Sequence, residues 1–261
     1  MLFDCHIHTS ASPDGKMSPE EVALAAGKLG LGCIFTEHMD YNPDGEPVFC
    51  IDFDTYPGDY IKHKSENVCV GIEIGLVADG KSAARSIEIN RSHASNKDYD
   101  YVLGSVHMTA GVDIYLEQQS FFGRGIEVYE LHLSYILEMI KANDFFDALG
   151  HIDYISRYSP FTEKNVLYNE YTALYDEILT ALIERGKVLE LSTRRLDDKD
   201  ACKNMAAIYS RYRELGGQYV TLGSDAHEAN QIGRNFDIAL NLIEEIGLHP
   251  VYFKERKIVL C

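Results

Sequence analysis

The chain has 261 residues, 46% of them hydrophobic, which is enough for one large α/β unit with a substantial buried core. Its 41 acidic and 24 basic residues leave a net charge of −17, and no basic block interrupts the acidity, so a surface built to hold a nucleic-acid backbone is excluded. No apolar run approaches the ~20 residues of a membrane span. Met1 leads directly into LFDCHIH, without the basic segment and apolar stretch of a secretory leader, so a cytoplasmic protein is expected. The six cysteines (Cys5, Cys33, Cys50, Cys69, Cys202 and Cys261) contain no CxxC pair. Three of them, Cys5, Cys33 and Cys69, sit in apolar runs and read as reduced core thiols.

Seven apolar runs read as strands, with helical stretches between them. The first covers residues 2–8. Residues 18–29 then predict a helix, with Ser18 as N-cap, Pro19 in the first helical position and Glu21 three residues after the cap. The second strand is 32–38. Residues 40–67 contain Pro43, Gly45, Pro47, Pro57 and Gly58 and predict a long loop carrying one helix. Strands at 68–74, 101–107, 147–152, 187–193 and 219–224 follow. Apolar residues at i, i+3, i+4 spacing mark helices at 79–97, 124–142, 168–186, 199–215 and 232–246. The tail, 250–261, predicts a final hairpin or edge strand. Strand and helix alternate without a linker or fixed repeat, which predicts a parallel sheet. Seven unbroken βα units predict a barrel and a single domain spanning residues 1–261.

The ends of these strands carry the chemistry. Asp4-Cys5-His6-Ile7-His8, Thr36-Glu37-His38, Gly71-Ile72-Glu73, Gly104-Ser105-Val106-His107, Gly150-His151-Ile152-Asp153 and Gly223-Ser224-Asp225-Ala226-His227 each end a strand on imidazole or carboxylate. In parallel barrels, functional residues come from the C-terminal strand ends, so His8, His38, Glu73, His107, His151 and Asp225 are expected to meet at one mouth, with His227 two residues beyond Asp225. Alternation along the first strand would put Asp4, His6 and His8 inside and Phe3, Cys5 and Ile7 against the helices. Imidazole and carboxylate together suit divalent Zn, Mn or Fe, and the set is too large for one ion, so a multinuclear centre is expected. Asp14 lies in Ser12-Pro13-Asp14-Gly15, which reads equally as a turn and as a loop returning a carboxylate to a metal. The remaining histidines, His63, His93, His132 and His249, read as surface or packing residues.

These fragments resemble the PHP (polymerase and histidinol phosphatase) family. The general motifs are Asp4-Cys5-His6-Ile7-His8-Thr9, Thr36-Glu37-His38, Gly71-Ile72-Glu73 and Ser224-Asp225-Ala226-His227. The stretches Tyr99-Asp100-Tyr101-Val102-Leu103-Gly104-Ser105-Val106-His107 and Gly150-His151-Ile152-Asp153-Tyr154-Ile155 resemble more specifically its monofunctional histidinol-phosphate phosphatases. The similarity runs over essentially the full length. It implies a distorted (β/α)7 TIM-like barrel, the PHP fold, holding three divalent ions. By position, His6, His8, Glu73 and Asp225 would hold the first ion. Glu73 would be shared with a second, held by His107 and His151, and Asp14, His38 and His227 would hold the third.

The implied activity is hydrolysis of L-histidinol phosphate to L-histidinol and inorganic phosphate, in histidine biosynthesis. A hydroxide bridging the two ions that share Glu73 would attack phosphorus, with Glu73 and Asp225 as the catalytic carboxylates. The chain departs from the family at Leu189-Glu190-Leu191-Ser192-Thr193-Arg194-Arg195, where relatives often have a small-residue end like Asn-Thr-Ser. The extra arginines suit phosphate oxygens. Arg194, on the same face as Glu190 and Ser192, is the first candidate for substrate contact, with Arg157 and Arg195 beside it. Rival readings are a phosphoesterase for another phosphomonoester or phosphodiester, an amidohydrolase, and a non-catalytic metal-binding scaffold. Amidohydrolase barrels often use a bridging Lys, and no strand end here carries one.

Overall fold

The computed structural model describes residues 1–52, 55–78 and 83–261. Its strands are β1 (Phe3–Ile7), β2 (Gly32–Tyr41), β3 (Pro47–Cys50), β4 (Val68–Gly75), β5 (Tyr101–Ser105), β6 (Met108–Thr109), β7 (Val112–Asp113), β8 (Ala148–Leu149), β9 (Val188–Ser192), β10 (Tyr219–Gly223), β11 (His249–Lys254) and β12 (Lys257–Leu260). The helices are α1 (Pro19–Lys28), α2 (Tyr56–Ile61), α3 (Ala83–Ala94), α4 (Gln118–Phe122), α5 (Val128–Ala142), α6 (Thr172–Glu184), α7 (Lys199–Glu214) and α8 (Phe236–Ile246). No helix among the described residues is long and apolar enough to cross a membrane.

Seven parallel strands run side by side in the order β1-β2-β4-β5-β8-β9-β10. The two ends of that run meet at an Ile7–Ala226 bridge, where His8 N donates to the Ala226 carbonyl at 2.9 Å. At the opposite end β11 fills the gap. It pairs parallel to β10 and antiparallel to β12, and Tyr252 stacks on Phe3 at 3.8 Å. This is a distorted α/β barrel, and the tail forms the hairpin expected of it. The predicted α1 keeps its capping box, with the Ser18 hydroxyl accepting from Glu21 N and the Glu21 carboxylate accepting from Ser18 N. Within 40–67 the chain makes the expected helix, α2, and also extends β2 into a hairpin with β3 that loop signals alone did not reveal. The first four residues of the predicted 79–97 helix lie outside the described residues.

Side chains alternate across the barrel wall. Val70, Ile72, Val102, Leu189, Leu191, Val220 and Leu222 pack outward under the helices. Ile34, Cys69, Tyr101, Leu103 and Val188 pack inward and, with Val251 and Phe253 of β11, form an apolar floor. The polar residues at the C-terminal strand ends sit above that floor. One expectation is corrected here. Phe3 and Cys5 belong to the floor, while Asp4 turns away to accept from Ser224 N at 3.0 Å and Gly233 N at 2.9 Å. The register of β1 against β2 shifts between Asp4 and Ile7, so alternation breaks there. Thr36 Oγ1 fills the irregularity by accepting from Ile7 N at 3.0 Å. The bulge is what lets Phe3 and Cys5 seal the floor and His6 and His8 still point inward above it.

Candidate metal centre

All nine sequence-predicted ligands come together at one mouth of the barrel. His6 and His8 come from β1 and the residue after it, His38 from β2 and Glu73 from β4. His107, His151, Asp225 and His227 follow β5, β8 and β10. Asp14 arrives from the loop after β1, its carboxylate 2.9 Å from His227 Nε2 and 3.7 Å from His38 Nε2. That loop folds back because Gly15 has no side chain: a Cβ there would lie 1.8 Å from the Thr9 carbonyl oxygen. Glu37 holds the same loop, accepting from Thr9 N and Ser12 N. Asp225 has φ of +53°, a conformation disfavoured for a residue with a Cβ, as functional positions can be. Its carbonyl oxygen accepts from His227 Nδ1 at 3.0 Å and Arg194 Nη1 at 3.4 Å.

The spacings are those of ligand shells. His6 Nε2 lies 3.1 Å from His8 Nε2, 3.3 Å from Glu73 Oε1 and 3.6 Å from Asp225 Oδ1. His8 Nε2 lies 3.2 Å from Asp225 Oδ1 and 3.6 Å from Glu73 Oε2. A second triangle joins His107 Nε2, His151 Nε2 and Glu73 Oε1 at 3.4, 3.3 and 3.0 Å. Tetrahedral shells with bonds of ~2.0–2.1 Å have edges of about 3.3–3.4 Å. Glu73 Oε2 and Asp14 Oδ1 are buried in the cluster without a hydrogen-bond partner among the described residues. Buried polar atoms in native structures are normally paired, so orphaned carboxylate oxygens facing several imidazoles fit cations held in the cluster. The donor set therefore suits divalent ions.

Sequence reasoning missed Asp40. It sits two residues past His38 on the same face of β2, is buried, and accepts from His107 Nδ1 at 2.7 Å, leaving Nε2 directed at Glu73. The signal was the same alternation, carried one step beyond the predicted end of the strand. The Nδ1 of His6 lies 3.0 Å from Glu190 and that of His8 3.3 Å from Ser12 Oγ. His132 is the packing residue expected, buried in α5 with Nδ1 2.8 Å from Thr109 Oγ1, and burial lowers its pKa to about 3.

The electrostatics follow from carboxylates and imidazoles crowded in a dry pocket. Burial alone would raise the Glu73 carboxyl, but His6, His107 and His38 hold it well below the usual range. Burial opposes charge on His38, and Glu73, Asp14 and Asp40 overcome it, pushing its pKa up to about 10. Without an ion, His38 is thus protonated at neutral pH, whereas a metal ligand must be neutral. Ion uptake should therefore release protons, and zinc affinity should rise as pH rises from about 6 to 8. Calorimetric zinc titrations of chelator-treated protein in two buffers measure this; uptake without proton release would contradict it.

The cluster opens into a cavity of about 510 Å³ lined by Asp14, His38, Asp40, His107, His151, Asp225 and His227 on one side. Arg157 and Arg194 also line it. Arg157 is buried: Nη1 donates to Asp225 Oδ2, Nη2 donates to Ser192 Oγ at 3.2 Å, and the guanidinium lies 5.3 Å from the Tyr154 ring centroid. Arg194 Nη1 donates to the same Asp225 oxygen at 3.2 Å and is more open to solvent. Arg195 does not reach the cavity. Its guanidinium is committed to Asp153 at 3.2 Å and Asn165 at 2.8 Å, so substrate contact by Arg195 is set aside. Arg195→Ala is expected to cost about 2 kcal/mol in urea unfolding, the worth of a charge-assisted bond, with KM changed by less than about twofold.

A PHP-domain family model matches residues 4–194. The chain belongs to the PHP family. This PHP-domain chain is 41% identical over 256 residues to a probable histidinol-phosphatase of Clostridium acetobutylicum, covering 98% of each chain. It is 29% identical to the histidinol-phosphatase of Lactococcus lactis, covering 95% of this chain and 93% of that one. Its fold matches the crystal structure of the Lactococcus lactis histidinol phosphate phosphatase complexed with zinc, L-histidinol and phosphate. That match has a TM-score of 0.80 and 28% identity, and covers 99% of this chain and 98% of the other.

Proposed function

We propose that the chain is a metal-dependent phosphatase that hydrolyses L-histidinol phosphate to L-histidinol and inorganic phosphate. One observation carries the reading: the cluster centred on Glu73 shares a single cavity with the Arg157 and Arg194 guanidinium groups. The first places ligands for cations, the second places forks for phosphate oxygens, and a phosphate monoester needs both. The relatives' names and the L-histidinol and phosphate in the solved neighbour support the substrate. The cavity also carries Asp113, Tyr115, Tyr154 and Tyr158, an acceptor and aromatic faces suited to an amine and an imidazole.

In this reading three ions are held, zinc by analogy with the neighbour. The first is assigned to His6, His8, Glu73 and Asp225, the second to Glu73, His107 and His151, and the third to Asp14, His38 and His227. Divalent ions held there supply Lewis acidity, which makes water a nucleophile at neutral pH and offsets phosphoryl charge. Arg157 and Arg194 bind the phosphoryl oxygens and fix the ester, and burial of Arg157 keeps its charge in a region of low dielectric where it acts strongly. The Tyr154 ring lies against the Arg157 guanidinium, 5.3 Å from it, as a cation–π neighbour. The chain is proposed to work as one unit over residues 1–261, and a cytoplasmic setting fits its six free cysteines.

Phosphate release from L-histidinol phosphate, p-nitrophenyl phosphate, nucleoside monophosphates and a phosphodiester tests the reading. Preference for histidinol phosphate by at least about 100-fold in kcat/KM is expected. Equal turnover of all four would leave a general phosphoesterase.

A further inference from the structure

We propose that Glu190 is a positioning residue that ties the first two ligand sets together through His6 and His151. It lies in the middle of β9 and is fully buried. His6 Nδ1 lies 3.0 Å from its Oε2 and 3.3 Å from its Oε1, and His151 N donates to Oε1 at 3.0 Å. No lysine or arginine pairs with it among the described residues. A carboxylate taken out of water without such a partner is costly unless other donors fill its acceptor oxygens. The side chain aligned with it is His6, whose far nitrogen faces Glu73 and Asp225.

The backbone has been arranged around this contact. A Cβ on Gly223 would lie 2.4 Å from Glu190 Oε2 and 2.7 Å from His6 Cβ, so β10 leaves bare the space in which the two side chains meet. Tyr209 of α7 donates to the Glu190 carbonyl oxygen. One carboxylate thus fixes the His6 ring by its side chain and the His151 segment by its backbone. With Nδ1–H donated to Glu190, the lone pair of His6 Nε2 is left facing Glu73 and Asp225.

The requirement for two acceptor oxygens makes the idea testable. In Glu190→Gln one oxygen becomes an NH2 donor. If that group faces His151 N, two donors collide. If it faces His6, the ring must present its Nδ1 lone pair and carry the proton on Nε2, the nitrogen that should meet the ion. Either arrangement damages ligand geometry without changing side-chain volume. The inference rests on the metal-centre reading above, but not on the identity of the ester.

The full-length parent, E190Q and E190D, stripped with chelator, would be titrated with zinc against a chromophoric chelator. Bound zinc per chain, far-UV circular dichroism and histidinol phosphate kinetics would be recorded alongside. E190Q is expected to fold like the parent and to bind zinc about 10- to 100-fold more weakly. Its kcat should fall, its KM should stay within about twofold, and excess zinc should restore kcat. E190D keeps both oxygens but withdraws them, and its loss should be smaller. A parent-like zinc titration in E190Q overturns the proposal, as does lost activity with unchanged zinc affinity. Should E190Q fail to fold, E190D decides on the same titration: weakened zinc binding supports the proposal and unchanged binding overturns it. A parent that binds zinc without hydrolysing histidinol phosphate refutes the substrate alone, since the zinc comparison still decides the role of Glu190. A parent that binds no zinc overturns both.

Discussion

Glu73→Gln should leave a folded protein that has lost bound zinc and at least about 10³ of its kcat, more than removal of a single charge-stabilising donor usually costs. The expectation follows from how many nitrogens face this one carboxylate. His38 Nδ1 stands at 2.9 Å, His151 at 3.0 Å, His6 and His107 at 3.3 Å and His8 at 3.6 Å. Ser105 Oγ donates to Oε1 at 2.6 Å and fixes the rotamer, a bond that glutamine can still accept. The substitution preserves shape while removing the negative charge shared by the first two ligand sets. Zinc per chain and single-turnover hydrolysis measure the outcome. A Glu73→Gln protein with full zinc and kcat within tenfold of the parent would falsify the central position given to this residue.

Arg157→Lys is expected to lower kcat/KM by about 10²- to 10⁴-fold, the equivalent of losing two hydrogen bonds from a charged group at about 1.5–3 kcal/mol each. Lysine keeps the charge but not the fork. It cannot reach Asp225 Oδ2 and Ser192 Oγ together, nor present a guanidinium over the Tyr154 ring. Arg194→Lys should cost less, because Arg194 is about one-third exposed and, among the described residues, its hydrogen bonds go to Asp225 alone. If Arg157 acts on the transition state, kcat should carry most of the loss; if it only captures ester, KM should. An Arg157→Lys enzyme with parent-like kcat/KM would remove this arginine from substrate contact.

The legible part of this protein was its periodicity. Strand ends marked by His, Glu or Asp, each on the inward parity of a separate βα unit, were sufficient to expect one mouth and one ligand cluster. The capping residues of α1 and the tail hairpin were equally local and equally readable. What escaped depended on other strands. The β1 bulge at Asp4–Ile7 is stabilised by Thr36 of β2 and by Ser224 and Gly233 far along the chain, so nothing within LFDCHIH announces it. Asp40 was hidden because β2 runs to Tyr41, beyond the predicted end at residue 38. Arg194 and Arg195 are adjacent and chemically identical. They are separated by their surroundings: Asp153 and Asn165 draw one away while Asp225 draws the other inward.

The most direct measurement is phosphate release from L-histidinol phosphate as zinc is returned, equivalent by equivalent, to chelator-treated protein. Turnover should be absent in the stripped protein and climb with added zinc until the cluster around Glu73 is filled. Undiminished turnover by protein shown to be free of divalent ions would contradict the assignment of this cluster as the catalytic metal centre.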